Sequence, residues 1–240
     1  MQMNLPSFRD LGQSFISLFF PDLCVACGED PADSGSCFCL MCSVKLPQSN
    51  MYQESSNEFT ERFWGRSPLV FGAARYHFTR KSPIQKAMHS LKYHNRPDIG
   101  VQIGREFGRK MRQVGSLGDL DGIVAVPLHP AKERLRGYNQ SLQFANGLAD
   151  TLEVPVLSGT LIRDTHTVSQ TRKKRMDRFE NVETVFTIKQ GKALEGKHIL
   201  LVDDILTTGA TLEMCGNAIL SLPNTRISMA TIAIALKGGI

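Results

Sequence analysis

Two adjacent carboxylates, Asp203 and Asp204, end the apolar run HILLV and are followed by ILTTGAT and then by LEMCGNAIL. That order puts acidic groups at the carboxyl end of a buried strand, the edge at which open α/β sheets hold their ligands. A loop of small residues entering a helix presents free backbone N–H groups and the positive end of the helix dipole, and together these take an anion. Gly209 and Ala210 keep the loop slim, Gly209 lets the backbone approach a phosphate closely, and Thr207, Thr208 and Thr211 add hydroxyl donors. Asp203 and Asp204 can accept from sugar hydroxyls. No Gly-Lys-Ser/Thr ending and no lysine occur in this loop, so the pattern is not a nucleoside-triphosphate P-loop.

A second segment, GIVAVPLHPAKERLRGYNQS, has an apolar run ending at Val126, then Pro127, Leu128 and His129, then Lys132, Arg134 and Arg136. Cations clustered after a strand suit a polyanion such as pyrophosphate. His129, flanked by prolines, reads equally as a catalytic group and as a structural turn residue. Lys92, in SLKYHNR, reads either as a ligand contact or as a cation at a helix end, where it favours the dipole.

The cysteines carry a different chemistry. Five of six lie between Cys24 and Cys42, and Cys24-x2-Cys27 and Cys39-x2-Cys42 stand eleven residues apart. Paired knuckles of this form read as a tetrahedral zinc site with Cys24, Cys27, Cys39 and Cys42 as ligands, Cys37 being an alternative to Cys39. A short segment rich in Gly, Asp and Ser has little core of its own, which favours metal over free thiols. Cys215 stands alone in a helix-like stretch and reads as core.

These groups must be positioned by regular elements. Helical patterns cover Pro83 to Tyr93, Pro97 to Arg112, Asn139 to Leu152 and Thr211 to Leu222, and the clearest strands are 122–127, 198–204 and 227–236. Alternating strands and helices predict an α/β domain with a parallel sheet flanked by helices. Phe8, Leu11, Phe15, Leu18 and Phe19 predict an amphipathic helix ahead of the cysteines. Residues 47–67 are polar and weakly periodic, with Trp64 expected to anchor their end. The expected organisation is therefore 1–46 as helix and zinc module, 47–67 as linker and 68–240 as the main domain. The basic run Thr171 to Arg178 is expected in an exposed loop, solvated or closing over a ligand.

With 240 residues, 42% hydrophobic side chains and a net charge of +5, the chain can bury a core and leans toward phosphate-bearing partners. No apolar run reaches the length needed to span a membrane, so membrane insertion is not expected. FISLFF is too short for a signal segment, and the expected location is cytoplasmic.

The stretch from HILLVDD through TTGAT resembles the phosphoribosyl-pyrophosphate (PRPP) motif of type I phosphoribosyltransferases. Together with the cysteine cluster, SLKYHNR and VPLHPAKERLRGYNQS, it resembles the ComF family of competence-associated, phosphoribosyltransferase-like proteins over nearly the whole chain. The resemblance implies a type I phosphoribosyltransferase fold with a small zinc-ribbon-like module in front, PRPP and Mg²⁺ as ligands, and a setting in DNA uptake. It implies Asp203 and Asp204 as the catalytic pair holding the ribose hydroxyls. Residues 207–211 would hold the 5-phosphate; Pro127, Leu128 and Arg136 would lie at the pyrophosphate, and Gln170, in a mobile loop spanning 165–182, would reach the ligand. Displacement at the anomeric carbon builds positive charge on the ribose and negative charge on pyrophosphate, so such a site works by positioning and electrostatics. Thr207 replaces a carboxylate that some purine enzymes carry. The sequence leaves open a glycosyltransferase acting on an unidentified acceptor, a PRPP-responsive sensor, and an accessory protein that binds single-stranded DNA.

Overall fold

The computed structural model describes residues 22–164 and 185–236. The expected helix before the cysteines, the basic run and Gln170 lie outside the described residues. The elements run α1 (Leu40–Val44), a 3-10 turn at Met51–Gln53, α2 (Glu58–Glu61), β1 (Phe71–Phe78), α3 (Pro83–Tyr93), α4 (Pro97–Val114), β2 (Gly122–Ala125), α5 (Pro130–Arg136), α6 (Gln140–Leu152), β3 (Leu161–Asp164), β4 (Val185–Ile188), a 3-10 turn at Gly191–Ala193, β5 (His198–Leu206), α7 (Ala210–Leu220) and β6 (Arg226–Ala235). Among the described residues no helix is long and apolar enough to cross a membrane.

The core is a parallel sheet in the order β1-β6-β5-β2, and β3 and β4 pair antiparallel apart from it. Ile199 to Val202 on β5 and Met229, Ala230 and Ile232 to Ile234 on β6 are wholly buried, as inner parallel strands covered on both faces must be. Local chemistry sets the helix ends: the Ser82 hydroxyl accepts from the Gln85 N–H ahead of Pro83, and Gly115 closes α4 in the left-handed region.

Helices α4 and α6 touch almost backbone to backbone. A Cβ on Gly104 would meet the Phe144 carbonyl oxygen at 2.4 Å, and one on Gly147 would meet that of Val101 at 2.1 Å. Since α6 begins at the site described below, this contact fixes the helix that presents it. Gly147→Ala is expected to force the pair apart and cost about 3 kcal/mol. Thermal unfolding checks this, with the midpoint falling by roughly 10 °C.

Residues 47–67, read from sequence as a linker, are built into the core. The His77 N–H donates to the Pro47 carbonyl at 2.8 Å and the Ser49 N–H to the Arg75 carbonyl at 3.0 Å, covering the outer edge of β1. Asn57 caps α2 with a full capping box, and Phe59 and Phe63, one turn apart, are fully buried. Trp64 does not anchor this segment: it is 65% exposed, and Phe63 does that work instead. A single turn of helix is too short for periodicity to stand out among polar neighbours, which is why the sequence reads as a loop.

Candidate phosphate and ribose site

Strand β5 carries its two acids to the carboxyl edge of the sheet. Asp203 Oδ1 accepts from the Ser141 hydroxyl and from the Asp204 N–H, both at 2.8 Å. Asp204 Oδ2 lies 2.8 Å from the Lys92 ammonium at the end of α3. Two carboxylates therefore share one cation and one hydroxyl donor, leaving acceptor capacity for sugar hydroxyls. Burial, and then the charge of Asp204, push the Asp203 carboxyl up to about 7, against the lowering effect of Ser141, the Asp204 N–H and Lys92.

Beyond the acids the chain turns at Gly209, which sits at φ 85° as the N-cap of α7. A side chain at that φ is strained, and the neighbouring Phe63 ring leaves little room for one. Thr207, Thr208, Gly209, Ala210 and Thr211 thus form one turn at a helix N-terminus, with the N–H groups of the first helical residues free of intrahelical partners. The Thr208 hydroxyl accepts weakly from the Ala210 N–H at 3.4 Å.

This loop is held from behind by α2 and the turn after it. The Arg62 guanidinium donates to the carbonyls of Thr207 and Ala235 and pairs with Glu58 at 3.0 Å. Arg66 donates to the Thr208 carbonyl at 3.3 Å and pairs with Glu213. Pulling these carbonyls toward the protein leaves the loop's N–H groups to face the ligand side. Arg62→Ala is expected to loosen the loop and destabilise the fold by about 2 kcal/mol, because the Thr207 and Ala235 carbonyls lose a charged donor. Thermal unfolding of the variant checks this.

The second segment frames the site from β2. Asn139 caps α6, accepting from the Ser141 N–H at 2.9 Å, and donates to the Val126 carbonyl at 3.0 Å, so it ties the Pro127–Leu128 turn to the helix that carries Ser141. His129 sits at the turn before α5: its Nδ1 accepts from the Ala131 N–H at 3.1 Å and caps that helix. Arg136 is held by Gln140 at 2.8 Å and lies over the Tyr93 ring, while Lys132 and Arg134 are exposed on α5.

The cysteine cluster is a separate site of the same chain. The sulfurs of Cys24, Cys27, Cys39 and Cys42 all lie within 4.8 Å of one another, and Cys37 stays apart, buried and with its thiol pushed well up by that burial. Cys27 and Cys39 Sγ are 3.8 Å apart, too far for a disulfide and equal to the edge of a tetrahedron with metal–sulfur bonds of about 2.3 Å. Burial alone would raise the Cys24 thiol, but N–H groups of Cys27, Cys39 and Ala26 lower it to about 6, whereas burial and the neighbouring sulfurs push Cys42 up to about 12. Four sulfurs competing for so few protons suit a divalent cation that lets all four ionise. The Lys86 ammonium donates to the Ala26 carbonyl at 2.7 Å and fastens the cluster to α3.

Asp203, Asp204, the 207–211 loop and the Pro127–Leu128 turn thus share one edge of the sheet. Four contributors were not read from the sequence. Ser141 and Asn139 sit in the polar start GYNQS of an amphipathic helix, a signal that was present; Arg62 and Arg66, spaced like Phe59 and Phe63, offered only a faint one.

Residues 139–237 match the family model of the phosphoribosyl transferase domain. Competence protein F of Haemophilus influenzae is 30% identical over 134 residues, which is 54% of this chain and 58% of that protein. The DNA utilization protein YhgH of Escherichia coli K12 is 29% identical over 133 residues, with the same shares. Competence protein ComFC of Bacillus subtilis is 38% identical over 98 residues, 41% of this chain and 38% of that protein. The match spans between 38% and 58% of the length of these relatives. The crystal structure of an adenine phosphoribosyltransferase aligns with 59% of this chain and 73% of its own at TM-score 0.40 and 15% identity. By a phosphoribosyl transferase domain match behind a four-cysteine cluster, and by relatives of these names, the chain is similar to proteins of the ComF family.

Proposed function

We propose that the protein binds the 5-phosphoribosyl group of PRPP on the segment from Asp203 to Thr211 and passes it to an acceptor. The carrying observation is the carboxylate pair at the end of β5, fixed by Ser141 and Lys92 and followed at once by an anion-binding helix start. In this reading the N–H groups and hydroxyls of 207–211 hold the 5-phosphate. Asp203 and Asp204 accept from the 2- and 3-hydroxyls and face the positive charge that develops on the ribose. Pro127, Leu128 and Arg136 lie toward the pyrophosphate, with Gln170 as a further contact outside the described residues. Mg²⁺, an oxygen-seeking ion, would neutralise the pyrophosphate and draw it off as leaving group.

The four cysteines are assigned to Zn²⁺ in a closed structural site, so zinc supports the fold and magnesium the ligand. Calorimetric titration with PRPP tests the reading. Binding that requires Mg²⁺ is expected, and no binding in either condition would overturn it.

A second reading, favoured by relatives named for competence and DNA utilization, is that the protein handles single-stranded DNA, with PRPP as a regulatory ligand. A fluorescent oligodeoxynucleotide tests it: PRPP-dependent binding would support this reading, and no binding would exclude it.

A further inference from the structure

Helix α5 carries three cations, Lys132, Arg134 and Arg136, yet none of its side chains is buried, so its own packing cannot fix them. Lys132 and Arg134 are exposed. Arg136 is held by other elements. The Gln140 Oε1 accepts from its guanidinium at 2.8 Å, and the Tyr93 ring lies beneath, 5.5 Å from the guanidinium carbon. The Tyr138 hydroxyl, two residues on, donates to the Leu91 carbonyl and ties the end of α5 to α3. Gln140 itself is 1% exposed, and its Nε2 is buried with no hydrogen-bond partner among the described residues. A guanidinium only donates, so the amide must turn its oxygen to Arg136 and its NH2 group away. A buried donor left unpaired destabilises a fold, and an apolar side chain of the same size would avoid that cost. What Gln140 offers in return is an acceptor for one cation.

We infer that Gln140 is a positioning residue for the diphosphate on the anomeric carbon, acting through Arg136. The inference rests on the phosphoribose reading and names what separates PRPP from a plain sugar phosphate at this site. One N–H of the guanidinium is committed to Gln140 and one face to Tyr93, and the remaining N–H groups stay available as donors to phosphate oxygens. A loose arginine would lose its freedom only when ligand binds; one already held by Gln140 and Tyr93 has lost it beforehand, and binding is tighter for that. Both supports of Arg136 also adjoin the acid pair. Gln140 precedes Ser141, which donates to Asp203, and Tyr93 follows Lys92, which pairs with Asp204. The cation therefore keeps a fixed place relative to the two carboxylates, as a leaving group bonded to the same ribose requires.

Titration of the full chain with PRPP and with ribose 5-phosphate, both in Mg²⁺, tests this. The wild-type protein is expected to bind PRPP at least about tenfold more tightly, as one added charged hydrogen bond requires. Gln140→Met, of similar volume, should weaken PRPP binding roughly tenfold and ribose 5-phosphate binding less than about twofold, and should melt no lower than wild type because the unpaired donor is gone. On an Arg136→Met background the same substitution should weaken PRPP binding no further, the mark of a residue that acts through the arginine. An equal loss for both ligands would make Gln140 a support of the helix start alone and would overturn the inference, as would a full Gln140 effect in the absence of Arg136. PRPP binding no tighter than ribose 5-phosphate in the wild type would overturn it while leaving the phosphoribose reading in place. Failure of both ligands to bind would overturn that reading and this inference with it.

Discussion

Asp203→Asn is expected to weaken binding of ribose 5-phosphate by 10- to 100-fold, on the order of one charged hydrogen bond, and at the same time to make the unliganded protein harder to unfold. Both effects come from the same placement. Asp203 is brought into partial burial beside a second carboxylate, and its pKa rises to about 7. The folded chain therefore holds a proton there that the unfolded chain gives up near pH 4. A raised carboxyl pKa means stability that is full below the unfolded value and is lost as pH rises from about 4 through about 7. The asparagine variant has no such loss. Its advantage should be absent near pH 4 and grow to on the order of 2 kcal/mol at pH 8, after allowance for the partly buried setting.

The wild-type affinity should in turn rise between pH 6 and 8, because only the ionised form of Asp203 is a pure acceptor. The ligand's own phosphate titrates near pH 6 in both proteins, so the difference between their profiles isolates Asp203. Paired titrations and thermal scans across this range check both effects. A flat difference in stability would remove the burial argument.

The second large effect concerns the cysteines. Metal analysis is expected to find about one zinc per chain, and chelation or Cys39→Ser should destabilise the whole protein by several kcal/mol. The reach of this effect follows from packing. Phe38 and Leu46 belong to the same buried cluster as the sheet, and Lys86 joins the Ala26 carbonyl to α3. The other end of α3 supplies Lys92 to Asp204, so loss of the metal should also weaken ribose 5-phosphate binding. A chain that binds no metal, or whose melting temperature ignores a chelator, would contradict the assignment.

What could be read from the sequence tracks how local each signal was. HILLVDD and the 227–236 run read as buried strands because both faces are apolar, and they became β5 and β6. The four cysteines were legible through spacing alone, and Cys37 separated from them only in three dimensions, where it packs inward, away from the cluster. Lys92 looked like a helix-end cation, since nothing local reveals that its ammonium meets Asp204 across more than a hundred residues of chain. The same holds for Ser141 with Asp203 and for Arg62 with the Thr207 carbonyl: each is a contact between segments distant in sequence. Small polar or basic residues in short turns leave no periodic trace.

The most direct test of phosphoribose binding follows the backbone amide resonances of Thr207, Thr208, Gly209, Ala210 and Thr211 during titration with ribose 5-phosphate. Large, saturable shifts at these amides, matched by smaller ones at Ser141 and Lys92, are the expected result. Shifts confined to other parts of the chain, or none at saturating ligand, would contradict the assignment of this loop as the phosphate site.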